Sequence, residues 1–340
     1  MTTPDEYPAR PGDVLLGKYR VERVLGRGGM GVVVAARHLT LEERVAIKFL
    51  LPAFLRDPHS VERFLREARA AVRIRNQHVA RVSDVGTMDD GAPYMIMEYL
   101  EGRNLAAVLG ASGPLPYAFA IELVLQACEA LAEAHALGIV HRDVKPGNLF
   151  LTHHADGSPC VKVLDFGISK IKDGQEHVLT GTGAMLGSPS YMSPEQIRSA
   201  RDVDARADIY SIGVVLYELL SGRTPFIADD LPQFIYKLMY AYEAPHPLRA
   251  VRSEIPEGVE VAVFRAMARD RDARFSSVAD LAVALAPFVP PAARGSVDRI
   301  CGVLRNRDPR LAPALADHRA TGAPEAVSYT HLRAHETGRN

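Results

Sequence analysis

Between Tyr19 and Tyr99 the sequence is mostly strand-like in texture, and beyond Glu101-Gly102 it turns largely helical. A chain whose texture switches once in this way builds a small sheet-rich lobe followed by a larger helical lobe, an α+β class. In the first part, Tyr19-Arg-Val-Glu-Arg-Val-Leu25 alternates as a half-buried strand does. Val32–Ala36 and Val45–Phe49 are rich in β-branched residues, and Val79–Gly86 and Tyr94–Met97 are further strands across a turn at Asp89-Asp90-Gly91. One helix interrupts them at Ser60–Ile74, where Val61, Phe64, Leu65, Ala68, Val72 and Ile74 share a face. In the second part, Pro116–Leu137 reads as one long buried helix stopped at Gly138. A hairpin with Asp156-Gly157 joins strands at Leu149–Leu151 and Val161–Leu164. Helices follow at Pro194–Ser199, Asp204–Ser221, Leu231–Tyr240, Glu257–Ala268 and Val278–Ala286.

Composition removes several function classes. Apolar residues are 47% and charged residues 24%, ordinary for a globular chain and against global disorder. A formal charge of −1 leaves no basic surplus with which to hold nucleic acid by bulk charge, so no nucleic-acid partner is expected. Cys128, Cys160 and Cys301 are too few and too scattered for a disulfide framework, which points to a reducing compartment, the cytoplasm. Met1–Pro11 has no apolar core of a signal peptide, and the longest apolar stretch, Ile209–Leu220, is too short to span a bilayer. His153-His154 near Cys160 lacks the spacing of a zinc site.

Four short segments carry chemistry. Gly26-Arg-Gly-Gly-Met-Gly31-Val-Val33 places glycines where backbone can approach phosphates closely. A dinucleotide-binding turn would open into a helix, whereas a β-branched strand follows here, which favours a hairpin lying over phosphates. Val45-Ala-Ile-Lys48 puts a lysine inside an apolar strand, which is costly unless the ammonium is paired. Glu67, on the one helix of this lobe, is the natural partner, with Arg66 and Arg69 as competitors for its carboxylate. His141-Arg-Asp143-Val-Lys145-Pro-Gly-Asn148 gathers a carboxylate, a lysine and an amide on one loop, and Asp165-Phe-Gly167 follows 22 residues after Asp143, beyond a hairpin. That set suits phosphoryl transfer, with Asp143 taking or orienting a hydroxyl proton, Lys145 offsetting phosphate charge, and Asn148 and Asp165 contacting Mg²⁺.

In this order and spacing, the segments resemble the eukaryotic-like protein kinase family over about residues 18–290. The resemblance implies a bilobal kinase fold, ATP and Mg²⁺ as cofactors, and proteins bearing Ser or Thr as substrates. It implies that Gly26, Gly28 and Gly31 cover the nucleotide, that Lys48 and Glu67 pair, that Asp143 is the catalytic base, and that Asn148 and Asp165 are metal ligands. Val33, Ala46 and Phe150 would sandwich adenine, with Met97 behind it and the backbone of Glu98, Tyr99 and Leu100 at its edge. Plain core packing is an equal reading of those apolar residues. Only seven lysines occur among the 40 basic residues, and two of them, Lys48 and Lys145, stand where the resemblance requires one.

Further features of the resemblance concern specificity and control. Lys145 implies Ser/Thr specificity, Ser193-Pro-Glu195 stands for an Ala-Pro-Glu platform, and Ser188 replaces the usual threonine of the substrate loop. Asp208 and Gly213 match a buried Asp-x-x-x-x-Gly helix, and Arg274 matches the arginine expected to pair with Glu195. Arg142, before the base, would read a phosphate on Thr180 or Thr182, placed there by the enzyme acting on a second copy of itself. The rival classes are a scaffold that keeps the fold without catalysis and a small-molecule phosphotransferase. The five residues Lys48, Glu67, Asp143, Asn148 and Asp165 disfavour the first, and the Ser-Pro-Glu platform disfavours the second.

The expected layout is a loose leader at 1–17, a kinase domain at 18–290 with lobes at about 18–99 and 103–290, and an extension at 291–325. The tail at 326–340 changes texture abruptly and resembles a translated sequencing-adapter peptide, so it is expected to be foreign. The natural chain is then expected to continue past 325, where many bacterial members of the resembled family carry a membrane anchor and sensor domain.

Overall fold

The computed structural model describes residues 9–28, 31–88, 91–166, 189–199, 202–228, 230–240 and 244–307. Its first lobe is one antiparallel sheet in the order β1-β2-β3-β4-β6-β5. The strands are β1 (Val14–Leu15), β2 (Tyr19–Arg27), β3 (Gly31–His38), β4 (Arg44–Leu50), β5 (Val82–Thr87) and β6 (Pro93–Glu98). Alternation assigns their two faces. Val32 and Val34 of β3, Ile47 and Phe49 of β4, and Ile96 of β6 form one apolar layer with Val21. On the other face Leu50 and Met95 pack against Phe64 and Ala68 of helix α1 (Pro58–Arg73).

Helix α1 starts two residues before the sequence-predicted Ser60, because Asp57 caps it. The Asp57 carboxylate accepts from the Ser60 and His59 amides at 3.0 and 3.1 Å, and Pro58 fills the first turn. Val72, expected on the buried face, is 52% exposed. The expected loose leader differs more. Ala9 and Leu15 are buried in the sheet's apolar layer, and the amides of Gly12 and Val21 donate to the carbonyls of Val21 and Asp13. Residues 9–17 cover apolar surface at the start of β2 that would otherwise face water.

The lobes meet at Glu98–Arg103. Gly102 has φ +146°, and a Cβ there would fall on the Leu151 carbonyl oxygen, so only glycine fits. Beyond it, β7 (Arg103–Asn104), β8 (Leu149–His153) and β9 (Pro159–Val163) form a small second sheet, with Gly157 at φ +83° in the β8–β9 turn.

The second lobe is built on α2 (Leu105–Ser112), which sequence periodicity did not reveal, and α3 (Tyr117–Ala136). There follow α4 (Pro194–Arg198), α5 (Arg206–Ser221), α6 (Leu231–Met239), α7 (Leu248–Val251), α8 (Glu257–Ala266), α9 (Val278–Leu285) and α10 (Arg294–Arg307). Helices α3 and α5 are buried on almost every side. A Cβ on Gly213 of α5 would lie 2.9 Å from Ala266 Cβ, so the missing side chain lets α5 and the end of α8 touch. Helix α10 lies where only an extension was expected. Val297, Ile300, Cys301 and Leu304 are its buried stripe, spaced as one helix face. All three cysteines are buried and unbridged. Among the described residues no helix is long and apolar enough to cross a membrane.

Candidate active site

Lys48 of β4 is the first organising group. Its register partners are Val33 of β3 and Met95 of β6, and period two turns it away from Ile47 and Phe49 toward α1. Its ammonium meets Glu67 Oε1 at 2.6 Å and Asp165 Oδ1 at 2.7 Å. Burial works against its charge, but the two carboxylates overcome that and hold it well above the ordinary lysine range. Burial is also the larger influence on Glu67 and pushes its carboxyl up, against the pull of Lys48. The expected competition from Arg66 does not arise, because Arg66 pairs with Glu62 at 2.7 Å.

The second cluster is the loop after α3. Lys145 Nζ donates to Asp143 Oδ2 at 3.0 Å. The Asn148 amide nitrogen donates to the Asp143 carbonyl at 2.8 Å and to its carboxylate at 3.1 Å. Buried His141 joins this loop to the other cluster. Its Nδ1 accepts from the Asp143 amide at 3.2 Å, and its Nε2 lies 3.0 Å from the Leu164 carbonyl, so Nε2 carries the proton. Burial holds the His141 ring below the ordinary histidine value, which keeps it neutral as this network requires. The Leu164 amide donates to the Asn148 carbonyl at 2.9 Å, and the His141 ring lies 4.6 Å from that of buried Phe166. Both carboxylates, Asp143 and Asp165, therefore hang on one hydrogen-bonded frame.

Arg142 and Asp165 have φ of 66° and 50°, in the left-handed region that non-glycine residues avoid. Such strain persists only where surrounding bonds impose it. Asp208, wholly buried on α5, accepts from the His141 and Arg142 amides at 2.8 Å each and from His135 Nε2 at 2.8 Å. Burial disfavours its charge, but these donors hold its carboxyl below the usual range. Gln196 of α4 donates to the Arg142 carbonyl at 2.9 Å. The Asp208 match was legible in the sequence; its three donors and the Gln196 contact were not.

The remaining expected residues lie in the first lobe's sheet, at the lobe junction and in the small sheet, or fall outside the described residues. Gly26 and Gly28 lie at the β2–β3 turn. A Cβ on Gly26 would meet nothing within 4 Å, and one on Gly28 only the Gly31 oxygen at 3.8 Å. A Cβ on Gly31 would lie 2.7 Å from the Phe49 oxygen, so that position needs glycine. Ala46 shares the Lys48 face of β4, and half-buried Phe150 pairs with Lys162 and Asn104 in the small sheet. Leu100 is half-buried at the lobe junction. The Glu98 side chain is occupied, accepting from Lys162 Nζ and the Arg81 amide at 2.8 Å each. Gly167, Thr180, Thr182 and Ser188 lie outside the described residues.

These groups fit a nucleotide with a divalent metal. Mg²⁺ takes oxygen ligands and is usually held by one or two protein side chains together with phosphates. Asp165 presents a carboxylate that keeps about half its side-chain surface (48%). Both bonds of the Asn148 amide use its nitrogen, which leaves its oxygen without a partner among the described residues. No group of three or more His, Cys, Asp or Glu among the described residues forms a self-sufficient metal cage. A separate hollow of about 510 Å³, lined by Tyr210, Phe226, Leu238 and Met267 with three polar residues, includes none of these groups.

Comparison with known proteins agrees with this geometry. Residues 19–281 match the protein kinase domain family. The chain is 39% identical over 274 residues to the serine/threonine-protein kinase pkn3 of Myxococcus xanthus, covering 79% of this chain and 49% of that protein. It is 37% identical to the serine/threonine-protein kinase PknB of Mycolicibacterium smegmatis, covering 83% and 43%. The chain thus spans about half or less of the length of these relatives. The crystal structure of the Mycobacterium tuberculosis PknI kinase domain superposes with a TM-score of 0.62 at 29% identity, covering 82% of this chain and 99% of that one. With the two clusters on one frame and the match running through both lobes, this chain belongs to the protein kinase domain family, among the bacterial serine/threonine protein kinases of eukaryotic type.

Proposed function

We propose that this chain transfers the γ-phosphoryl group of ATP to serine and threonine hydroxyls of protein substrates. The observation that carries the reading is the His141 bridge, which holds the Asp143 cluster and the Lys48–Glu67–Asp165 cluster at a fixed relation. In phosphoryl transfer, positioning and charge stabilisation do most of the work. Asp143 orients the substrate hydroxyl and receives its proton, while Lys145 offsets the phosphate charge. Lys48, kept in place by Glu67, steadies the phosphates beneath Gly26, Gly28 and Gly31. Val33, Ala46 and Phe150 are the apolar walls for adenine, and the backbone of Glu98 and Leu100 meets its polar edge. Asn148 and Asp165 would hold Mg²⁺, which supplies charge neutralisation at the phosphate oxygens when bound. The reaction belongs to the cytoplasm, where ATP is plentiful.

The test is transfer of label from γ-labelled ATP to a generic basic protein, followed by phosphoamino-acid analysis. Label on serine and threonine is expected. Label confined to a small molecule, or none with folded protein, would overturn the reading. Asn148→Ala removes the amide oxygen and should raise the Mg²⁺ concentration needed for half-maximal rate. A Mg²⁺ titration curve superimposable on wild type would take Asn148 out of the metal site.

Control by phosphorylation is part of the same proposal. A phosphate on Thr180 or Thr182 adds about −1.5 to −2 charge, and pairing with Arg142 would couple it to the backbone of the neighbouring base. The enzyme phosphorylates these threonines on a second copy of itself, and Ser188 serves in the substrate loop. Incubation with Mg-ATP and peptide mapping should find phosphate between Leu179 and Ser190. The Thr180→Ala/Thr182→Ala variant should stay at basal rate. Activation of that variant to the wild-type level would place the switch elsewhere.

A further inference from the structure

Helix α10 lies past residue 281, where the family match ends, yet its stripe of Val297, Ile300, Cys301 and Leu304 is buried in the second lobe's core. Its polar contact is the more informative one. Arg299 donates from Nε and Nη2 to the two carboxylate oxygens of Glu129, at 2.6 and 2.8 Å. Glu129 is 3% exposed, on the largely apolar and buried helix α3. A buried carboxylate is costly unless it is paired. Burial works against its charge, but His78, Arg299 and Ser296 hold it low, at about 2.

Glu129 is also where the turn after α1 is seated. His78 Nε2 lies 3.5 Å from its carboxylate, and the Asn76 amide nitrogen donates to its carbonyl at 3.3 Å. One turn along α3, Glu133 accepts from the Arg75 amide at 2.6 Å. The turn in its own right grips β9. His78 Nδ1 donates to the Val161 carbonyl at 2.8 Å, the Val163 amide donates to the His78 carbonyl at 2.8 Å, and the Ala80 amide donates to the Val163 carbonyl at 3.3 Å. Asp165 follows Val163 by two residues. An unbroken series of contacts therefore runs from Arg299 through Glu129 and His78 to the strand that delivers Asp165, and the same turn anchors the end of the helix that carries Glu67.

We propose that Arg299 is a positioning residue for phosphoryl transfer, clamping Glu129 so that His78 fixes β9 and with it Asp165. This rests on the protein kinase reading. Without the clamp, Glu129 keeps His78 and Ser296 as partners but loses its bidentate one. The turn at 75–80 then gains freedom that is passed to β9, because packed elements hand on displacements through bonded neighbours. A helix that merely filled the core would need its apolar stripe and no bidentate arginine.

The experiment compares wild type with Arg299→Ala, Arg299→Lys and Arg305→Ala in the full chain. Arg305 is on the same helix and donates to the Cys301 carbonyl, so its loss is the control. Amide hydrogen exchange at Ala80 and Val163 is read together with kcat and KM for ATP and for a basic protein substrate. Arg299→Ala should speed exchange at both amides and lower kcat roughly 3- to 10-fold, the range of coupling through packed networks. KM for the protein substrate should stay within about twofold, because no substrate contact is touched. Arg299→Lys should recover part of kcat, since lysine restores the charge without the planar fork, and Arg305→Ala should match wild type in both readouts. Wild-type exchange and kcat in Arg299→Ala would overturn the proposal, as would equal effects from Arg305→Ala. If wild type transfers no phosphate, the kinase reading has failed, and exchange at Ala80 and Val163 decides the clamp alone.

Discussion

Asp143→Asn is expected to cut turnover by at least about 100-fold, as for loss of a general base, and to leave ATP affinity close to wild type. Asparagine has nearly the same shape, and the backbone bonds at this position survive: the amide still meets His141 Nδ1, and the carbonyl still accepts from Asn148. An amide oxygen can also accept from Lys145, so the loop keeps its form. What is lost is a group able to take the hydroxyl proton. Nucleotide titration by fluorescence and steady-state turnover on a basic protein separate the two effects. Unchanged turnover with normal ATP binding would remove Asp143 from the mechanism. Weak ATP binding would mean that Asp143 acts chiefly by holding Asn148 and Lys145 in place.

The clusters around Lys48 and Asp143 were legible because each motif is short and chemically unusual for its setting. A lysine in an apolar strand demands a carboxylate, and Glu67 was found on the one helix available to supply it. Asp143, Lys145 and Asn148 lie so close along one loop that local geometry alone brings them together. Contacts spanning long sequence separations were another matter. His135 and Asp208 are 73 positions apart, and Arg299 and Glu129 are 170 apart. No periodicity links such pairs. The polar residues Gln126 and Glu129 within the apolar α3 were the available signal, since each must find a partner once buried. Gln126 finds its partners along β9, accepting from the Val161 amide at 2.7 Å and donating to the Pro159 carbonyl at 3.1 Å. Helix α10 has a helical stripe of only four apolar residues, Val297, Ile300, Cys301 and Leu304, among arginines and glycines, and its burial against the second lobe's core is what makes it a helix of the domain. Residues 9–17 follow the same logic: Ala9 and Leu15 are single apolar residues among prolines and glycines, and only the sheet they cover reveals their role.

Arg274→Ala is expected to lower stability by roughly 3–5 kcal/mol, the cost of breaking a buried pair from one side. The sequence resemblance paired Arg274 with Glu195, and the structure shows why the loss is large. The Arg274 side chain is 0% exposed, and Nη1 and Nη2 meet the two Glu195 oxygens at 2.7 and 2.8 Å. The same guanidinium donates to the carbonyls of Ala268, Arg206 and Arg269 at 2.7, 2.9 and 3.2 Å. All five of its N–H groups are used. Alanine leaves a carboxylate that is 15% exposed and three carbonyls without this donor, and opens a cavity beside Tyr210, over whose ring the guanidinium sits. A thermal melt should fall by on the order of 10 °C. Arg274→Lys should fall less, because it keeps the charge but not the fork. Acid sharpens the test. Burial opposes the charge on Glu195, yet Arg274 holds its carboxyl below the usual range. The pair's stabilisation is therefore present above the ordinary carboxylate pKa and is lost as pH falls through the depressed value. The gap between wild type and Arg274→Ala should narrow over that interval. A gap that is constant with pH would assign the cost to packing and the carbonyls, and a melt shifted by under a degree would mean the pair is open to water. Activity should follow stability, because Glu195 and Gln196 share the short helix α4 and Gln196 holds the carbonyl of Arg142, the residue before Asp143.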